Sequence, residues 1–231
     1  MTQQLIFSLQ LNNNITLDDF NWSVNEHLQY QLNLILSSQG ERIIYLWGNA
    51  GSGKSHILQG LCHKYHLYDR TSIYLPLHIL KNSDVNIIEG LNTQSLIAID
   101  DIDAISQHNN WEEALFNLYN QVHETENSIL LISNDKAPMF SNIALPDLRS
   151  RLSAALVMHV HELNDDGKVL MLQQQAKKRG FVLSHAVSWF LIQRCARNMH
   201  DLQSLLEQLD HASLAAKRKI TIPFIKSIFD I

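Results

Sequence analysis

The residues best suited to chemistry in this 231-residue chain form one glycine-rich segment, GNAGSGKS, from Gly48 to Ser55. Its spacing matches G-x-x-x-x-G-K-[ST], and it lies between a short apolar run and a helical pattern. Gly48, Gly51 and Gly53 let the backbone curl so that successive N–H groups point inward at the positive end of the next helix. The segment therefore predicts a phosphate-binding loop, in which Lys54 faces the β- and γ-phosphates and the Ser55 hydroxyl ligates Mg²⁺.

The whole loop contributes to the predicted nucleotide site. It offers backbone N–H groups and one cation to a chain of phosphates, so either ADP or ATP with Mg²⁺ would suit it. The nucleotide-binding residues predicted in the loop are Gly48, Asn49, Ala50, Gly51, Ser52, Gly53, Lys54, Ser55 and His56.

Two adjacent carboxylates end another apolar run, SLIAID, from Ser95 to Asp100. Ligands bind at the carboxyl ends of strands in an open parallel sheet, so this position favours a functional role. Asp100 would hold Mg²⁺, usually through water, and Asp101 would orient the attacking water as a general base. Asp101 has an alternative role as a helix N-cap. Asn134 follows a further apolar run, SILLIS, where it either reaches the γ-phosphate or merely favours a turn.

Apolar runs alternate with helical patterns from residue 24 to residue 160. The predicted helices are Val24–Ser37, Lys54–Tyr65 and an amphipathic segment between Trp111 and Val122. The predicted strands are Arg42–Trp47, residues 71–76, Ser95–Asp100, Ser128–Ser133 and Ala154–Val160. Such alternation predicts an α/β fold, with a parallel sheet covered by helices on both faces.

After Glu162 the strand patterns cease and the charge balance changes. Residues 1–163 contain 8 Lys and Arg against 17 Asp and Glu, whereas residues 164–231 contain 10 against 6. The helices predicted there are Gly167–Lys178, His185–Arg197, Asp201–Ala216 and a final one that Thr221 caps. We therefore predict an N-terminal tail at residues 1–15, an α/β nucleotide-binding domain at 16–163 and a small all-α domain at 164–231.

Composition argues against several classes of protein. With 45% hydrophobic and 18% charged residues the chain is typical of globular proteins, and its net charge of −5 argues against strong direct DNA binding. It has no run of 18 apolar residues and no basic N-terminal region, which favours a cytoplasmic protein without a membrane segment. Cys62 and Cys195 fit reduced core positions, and the 12 histidines lack metal-binding spacing.

Taken together, these motifs resemble the AAA+ P-loop NTPase module of the DnaA clade. The glycine loop corresponds to Walker A, residues 96–101 to Walker B, residues 133–135 to a strand-end sensor and the terminal helices to a lid. TLDDFNW at residues 16–22 is similar to the adenine-side box of the clade, and LRSRL at 148–152 to its arginine-finger segment. The QLDHAS and ITIPFIK stretches are similar to the Hda family of DnaA-homologous regulators.

The resemblance implies roles for individual residues. It implies that Arg151 is an arginine finger that reaches, in trans, the γ-phosphate in a neighbouring subunit. It implies nucleotide contacts from Asn134 and from His200, which stands where the clade has a sensor arginine. Because histidine is shorter and largely neutral at pH 7, γ-phosphate sensing and self-hydrolysis are expected to be weak.

The resemblance also gives a function to the N-terminal tail. Members of the Hda family bind the replicative sliding clamp through a short motif, which this chain matches at Gln4, Leu5, Phe7 and Leu9. In such a motif the glutamine amide satisfies polar groups at the rim of a pocket while the apolar side chains fill a groove. The alternative is an edge strand that pairs within its own domain.

The function implied by the resemblance is negative regulation of replication initiation. Bound to ADP and to the sliding clamp (the β subunit of DNA polymerase III), the protein would promote hydrolysis of the ATP held by DnaA, with weak or absent ATPase activity of its own. We expect a homodimer. Two other classes stay open: an autonomous AAA+ ATPase such as a helicase loader, which the catalytic set including Asp101 favours, and a nucleotide-gated scaffold without catalysis.

Overall fold

The computed structural model describes residues 15–125, 127–195, 199–216 and 220–229, with the side chains of residues 199, 200, 203 and 213–216 left aside. The predicted clamp-binding residues therefore lie outside the described part of the chain; they are Gln4, Leu5, Phe7 and Leu9. The side chain of His200 also lies outside it.

A five-stranded parallel sheet forms the centre of the first part of the chain, in the order β2-β3-β4-β1-β5. The strands are β1 (Ile43–Trp47), β2 (Ser72–Pro76), β3 (Leu96–Asp100), β4 (Ile129–Asn134) and β5 (Leu156–His159). Each strand is short and rich in apolar residues, as expected of a sheet buried on both faces. The predicted α/β fold is confirmed.

Helices connect the strands and continue beyond the last one. In the first part they are α1 (Glu26–Leu36), α2 (Lys54–Leu67), α3 (Leu77–Leu80), α4 (Asn109–Glu124) and α5 (Pro146–Ala154). After β5 they are α6 (Asp165–Lys178), α7 (His185–Arg194), α8 (Met199–Ala216) and α9 (Ile222–Phe229). Short 3₁₀ turns lie at Leu17–Asp19, Val85–Ile88, Leu91–Thr93, Ile102–Ile105 and Pro138–Phe140.

The start predicted for the last strand is wrong. The strand expected at Ala154–Val160 is β5, which begins only at Leu156, while Ala154 is the last residue of α5. The apolar pattern of Pro146–Ala154 is too weak to predict a helix, since only Leu148 and Leu152 of this segment are buried.

The two faces of the sheet carry separate apolar clusters. Residues that alternate along β3 divide between them: Ile97 and Ile99 pack with α4 and α5, whereas Leu96 and Ala98 pack with α1 and α2. This period-two division is what a strand covered on both faces requires. Each fully buried aliphatic side chain contributes about 1.5–3 kcal/mol, so these clusters fix the strand ends that carry the polar residues.

The Cα positions divide the chain into two compact units, with the boundary between His161 and Glu162 and with residues 50–52 grouped with the second unit. The second unit has its own apolar core, which includes Leu172, Leu191 and Leu206. Three of its helices, α6, α7 and α9, begin at polar caps: Asn164, Ser184 and Thr221 accept hydrogen bonds from the backbone N–H groups of Gly167, Val187 and Phe224. The cap predicted at Thr221 is thus confirmed.

Candidate nucleotide site

The glycine-rich loop has the backbone that a phosphate cradle needs. Gly51 and Gly53 adopt left-handed conformations, with φ of 84° and 99°. A Cβ on Gly53 would also lie 2.5 Å from Cε2 of Phe20, so this position excludes any side chain. Helix α2 begins directly afterwards, at Lys54, with no side-chain cap and no acidic residue in its first turn. Its free N–H groups therefore face the loop and favour an anion.

The Lys54 side chain closes the loop from within. It is only 9% exposed, and its Nζ donates hydrogen bonds to the carbonyl oxygens of Gly48 at 2.6 Å and Asn49 at 3.0 Å. It also forms an ion pair with Asp135, at 2.9 Å. Asp135 follows β4 directly, so the strand-end segment predicted to act as a sensor does reach the loop lysine.

Asn134, the residue predicted to contact the nucleotide, ends β4 with its side chain fully buried. Its Nδ2 donates a hydrogen bond to Asp103 at 3.0 Å, while its Oδ1 has no hydrogen-bond partner among the described residues. A buried, unpartnered oxygen of this kind is costly unless a donor arrives from a ligand or water. The hydroxyl of Ser52, in the glycine loop, is buried and unpartnered in the same way.

Asp100 lies at the end of β3 with two hydroxyl groups directed at its carboxylate. It is 4% exposed and accepts hydrogen bonds from Tyr74 at 2.6 Å and from Ser133. Burial and the Asp100 carboxylate raise the pKa of Tyr74, and hydrogen bonding with Gln59 and Ser55 opposes that rise. Tyr74 thus interacts with both predicted Mg²⁺ ligands, Ser55 and Asp100, which places the two near each other.

Asp101 occupies a strained position immediately after β3. Its φ is 61°, and its backbone N–H donates a hydrogen bond to the Ser133 hydroxyl at 3.0 Å. The pKa of its carboxyl is raised, first by burial and then by the nearby charges of Asp100 and Asp135. Asp101 stands at the N-cap position of the 3₁₀ turn that follows, but its side chain makes no capping hydrogen bond to that turn. A carboxyl with a raised pKa suits a general base.

The segment similar to the adenine-side box lies against the start of α2. Nε2 of His56 is 2.8 Å from the carbonyl oxygen of Thr16, and the His56 ring contacts Phe20. Phe20 packs in turn on Trp22, with ring centroids 4.4 Å apart. The ring of His56, a residue predicted to bind the nucleotide, is therefore directed at residues 16–22 and helps to hold that segment in place.

Arg151 lies on α5, whose other face packs through Leu148 and Leu152. Its side chain is exposed, like that of Arg149, and it forms no salt bridge with any residue in the described ranges. Burial raises the pKa of nearby Tyr119, and the positive charge of Arg151 opposes that rise. The guanidinium is thus available to another molecule.

The structure brings together the ends of β3 and β4 and the start of α2. Three residues there or nearby were not predicted from the sequence, namely Tyr74, Asp103 and Glu112, because they have partners that lie distant in the sequence. One signal was available: Glu112 falls among Trp111, Leu115 and Leu118 on the apolar face of α4, where a charge is unusual.

The residues present fit a magnesium nucleotide. The N–H groups at the start of α2 and Lys54 would hold its phosphates, and Oδ1 of Asn134, which has no partner among the described residues, is open to a further hydrogen bond. Ser55 and Asp100 offer the oxygen ligands that Mg²⁺ prefers. Within the described ranges, no three His, Cys, Asp or Glu residues are placed to hold a metal ion by themselves. The same ranges contain no helix with the length and apolar character needed to cross a bilayer.

Comparison with known proteins gives the family. The model of the bacterial DnaA ATPase domain matches residues 11–159, and the model of the Hda lid domain matches residues 165–229. An uncharacterized protein of Haemophilus influenzae is 37% identical over 231 residues, which is 100% of both chains.

Solved structures share the fold at lower identity. Domain III of the Thermotoga maritima replication initiation protein DnaA has a TM-score of 0.80, with 16% identity over 95% of this chain and 97% of that one. AMPPCP-bound DnaA from Aquifex aeolicus has a TM-score of 0.74 and 18% identity, over 87% of this chain and 66% of that one. The present chain therefore belongs to the DnaA-homologous AAA+ family, and its lid domain is of the Hda type.

Proposed function

We propose that this protein is a regulator of DnaA that, in its ADP-bound state, promotes hydrolysis of the ATP held by DnaA. Its ATPase domain is of the DnaA type and its lid is of the Hda type, and this combination supports a role in replication. Arg151 would be the catalytic group, acting in trans on the phosphates of a neighbouring DnaA subunit. Hydrolysis converts DnaA from its ATP form, and the protein would restrain initiation in this way. We also propose that it works in the cytoplasm.

The observation that carries the proposal is the exposed, unpaired Arg151 on α5. Arg151 forms no salt bridge among the described residues, while the helix beneath it is anchored by buried Leu148 and Leu152. A guanidinium held in this way can neutralise charge on a transferring phosphoryl group, an effect of about 10³ to 10⁵ in rate.

ADP is the nucleotide we propose for the protein's own loop. Burial, and after it the carboxylates of Asp100 and Asp135, raise the pKa of Asp101, so negative charge is already crowded at this edge of the sheet. A γ-phosphate would add more negative charge there, whereas a diphosphate held by Lys54 would add less. His200, in place of a sensor arginine, favours the same preference.

The N-terminal motif supports a tether to the sliding clamp. Replacing Gln4 and Leu5 by alanine should abolish clamp binding and leave ADP affinity unchanged, because the motif precedes the nucleotide-binding domain. Binding of the double variant to immobilised clamp at the wild-type level would assign the tether to another surface.

The partners that we propose are DnaA, the clamp and, in the absence of DnaA, a second copy of this chain. We propose no strong direct binding to DNA.

A second candidate is an autonomous AAA+ ATPase such as a helicase loader. The observation that favours it is Asp101, a carboxyl with a raised pKa beside the Mg²⁺ ligand Asp100, as a general base requires. Steady-state ATP turnover separates the two functions. A regulator of DnaA has little activity alone and accelerates phosphate release only when ATP-loaded DnaA and DNA-loaded clamp are added, whereas an autonomous ATPase turns over ATP by itself.

A further inference from the structure

Glu112 is a buried carboxylate outside the nucleotide site. It lies in the first turns of α4 and is 1% exposed. Oε1 accepts hydrogen bonds from the backbone N–H of Gln107 at 2.8 Å and of Ala144 at 3.1 Å. Oε2 accepts one from the backbone N–H of Leu145 at 2.6 Å. One side chain of α4 therefore satisfies two backbone donors in the connection between β4 and α5.

The donors that Glu112 holds stand at the very start of the helix that carries Arg151. Leu145 is the N-cap residue of α5, Pro146 is its first residue, and the Leu145 carbonyl accepts the N–H of Arg149. Arg151 follows within two helical turns. Because α5 is short and begins with the rigid geometry of proline, fixing Leu145 fixes the direction in which the exposed arginines project.

The same connection is held at a second point, by Asp103. Oδ1 accepts the backbone N–H of Asn142 at 3.2 Å, and Oδ2 accepts its side-chain amide at 3.2 Å. Asp103 also accepts the hydrogen bond from Asn134 at the end of β4. The connection between β4 and α5 is therefore anchored at two points. Asp103 holds it near the end of β4, and Glu112 holds it at the start of α5.

Packing alone does not explain a carboxylate at this position. Glu112 lies between the buried residues Trp111 and Leu115, where an apolar side chain would fill the space at no electrostatic cost. An apolar residue would, however, leave the N–H groups of Ala144 and Leu145 unpaired. The carboxylate is therefore matched to the backbone that it holds.

We propose that Glu112 is a positioning residue for Arg151: by binding the N–H groups of Ala144 and Leu145, it sets the placement of α5 from which Arg151 reaches the ATP of its partner. This inference rests on the proposed role of Arg151 in trans. Glu112 itself touches neither nucleotide. Its effect should appear in the rate of the chemical step and leave docking and nucleotide binding intact.

The test compares Glu112→Gln with Glu113→Gln, the same change at the exposed neighbouring residue. ATP is preloaded on DnaA, and its hydrolysis is followed at increasing concentrations of each variant with clamp on DNA. We expect Glu112→Gln to lower the maximal rate about tenfold to a hundredfold, because small misplacements of a catalytic group cost up to about 10²-fold. The variant concentration that gives the half-maximal rate and the affinity for ADP should stay at wild-type values. Glu113→Gln should match the wild type in all of these measurements.

Hydrogen exchange gives a second readout. In Glu112→Gln at least one of the amides of Ala144 and Leu145 should exchange faster, while those of β1 and β4 keep their protection, because glutamine keeps one acceptor oxygen and its NH₂ group cannot accept a hydrogen bond. If this variant unfolds at the assay temperature, Glu112→Asp replaces it, since a side chain one methylene shorter cannot reach all three donors. It should show the same loss of maximal rate.

Arg151→Ala, measured in parallel, separates the two proposals. If Arg151→Ala stimulates hydrolysis as the wild type does, the proposed function itself fails. If Arg151→Ala is inactive and Glu112→Gln keeps the full maximal rate, the positioning role is overturned. The positioning role is also overturned if Glu112→Gln weakens ADP binding, raises the concentration needed for half-maximal stimulation and lowers the melting temperature together, because such changes indicate a general structural role.

Discussion

The polar groups at the nucleotide loop and those on α5 differ in how they are paired. At the loop, Lys54 binds Asp135 and two carbonyl oxygens, and Asp100 accepts two hydroxyl groups. On α5, Arg149 and Arg151 are exposed and form no salt bridge with described residues. Lys54, Asp100, Arg149 and Arg151 all lie in the same compact unit, so this contrast does not come from a difference between units.

The proposed function explains the contrast by where each group finds its partner. A charge that acts within its own chain can be oriented in advance by neighbours that the same fold supplies, and burial strengthens those contacts. A charge that acts on another molecule must keep its donors free, so the fold can fix only the backbone beneath it. In α5 this backbone is fixed by Leu148, Leu152 and the carboxylate of Glu112.

The largest effect within the loop is expected for Lys54→Ala. The variant should lose the stabilisation by ADP, about 2.7 kcal/mol at a hundredfold excess over Kd, because the phosphates lose their one buried cation. Melting temperatures with and without ADP measure it. Lys64→Ala, on the same helix, is the matched control and should keep the full response to ADP. An undiminished rise in melting temperature for Lys54→Ala would contradict the assignment of the loop.

A smaller effect is expected when the orientation of Asp100 is disturbed. Tyr74→Phe removes one hydroxyl donor to Asp100 and should reduce the Mg²⁺-dependent part of ADP affinity about tenfold, as losses of groups that orient a metal ligand typically do. In EDTA, which removes Mg²⁺, the ADP affinity of Tyr74→Phe should equal that of the wild type. Calorimetric titrations with and without Mg²⁺ check this, with Tyr68→Phe, an exposed tyrosine, as the control. Equal losses in both conditions would show that Tyr74 does not act through the metal.

The smallest effect is expected for Asp101→Asn, and it depends on pH. The pKa of Asp101 is raised in the folded protein, so its ionisation costs stability as pH rises through that pKa. The variant should therefore melt slightly higher than the wild type at pH 7. The gain should disappear below about pH 4, where the carboxyl is protonated in both states. Thermal melts across pH measure it, with Glu113→Gln as control, and a gain that is constant with pH would contradict the cause.

Local sequence patterns were enough to predict the loop and the sheet. The glycine spacing locates the start of α2 at Lys54, and the apolar runs predict each strand to within one or two residues, because buried parallel strands are continuous and short. The carboxylates at the end of β3 follow from the same reasoning. These features depend on neighbours in the sequence.

The contacts that orient the site could not be predicted in this way. Tyr74 lies 26 residues from Asp100, and Glu112 lies 33 residues from Leu145. Sheet order and the route of the β4–α5 connection bring these pairs together, and neither is encoded in local spacing. Helix α5 was missed for a related reason: its few buried residues leave little periodicity to detect.

The central claim is that Arg151 completes the active site of another molecule, and single-turnover hydrolysis of ATP preloaded on DnaA tests it most directly. The assay contains clamp on DNA and excess unlabelled ADP, and it compares wild type, Arg151→Ala, Arg151→Lys and the matched Arg149→Ala. We predict that both changes at Arg151 abolish a stimulation of about 10³ to 10⁵ while ADP binding and melting temperature are kept, since lysine lacks the planar fork of arginine. Arg149→Ala should stay active. Near-normal stimulation by Arg151→Ala would contradict the account.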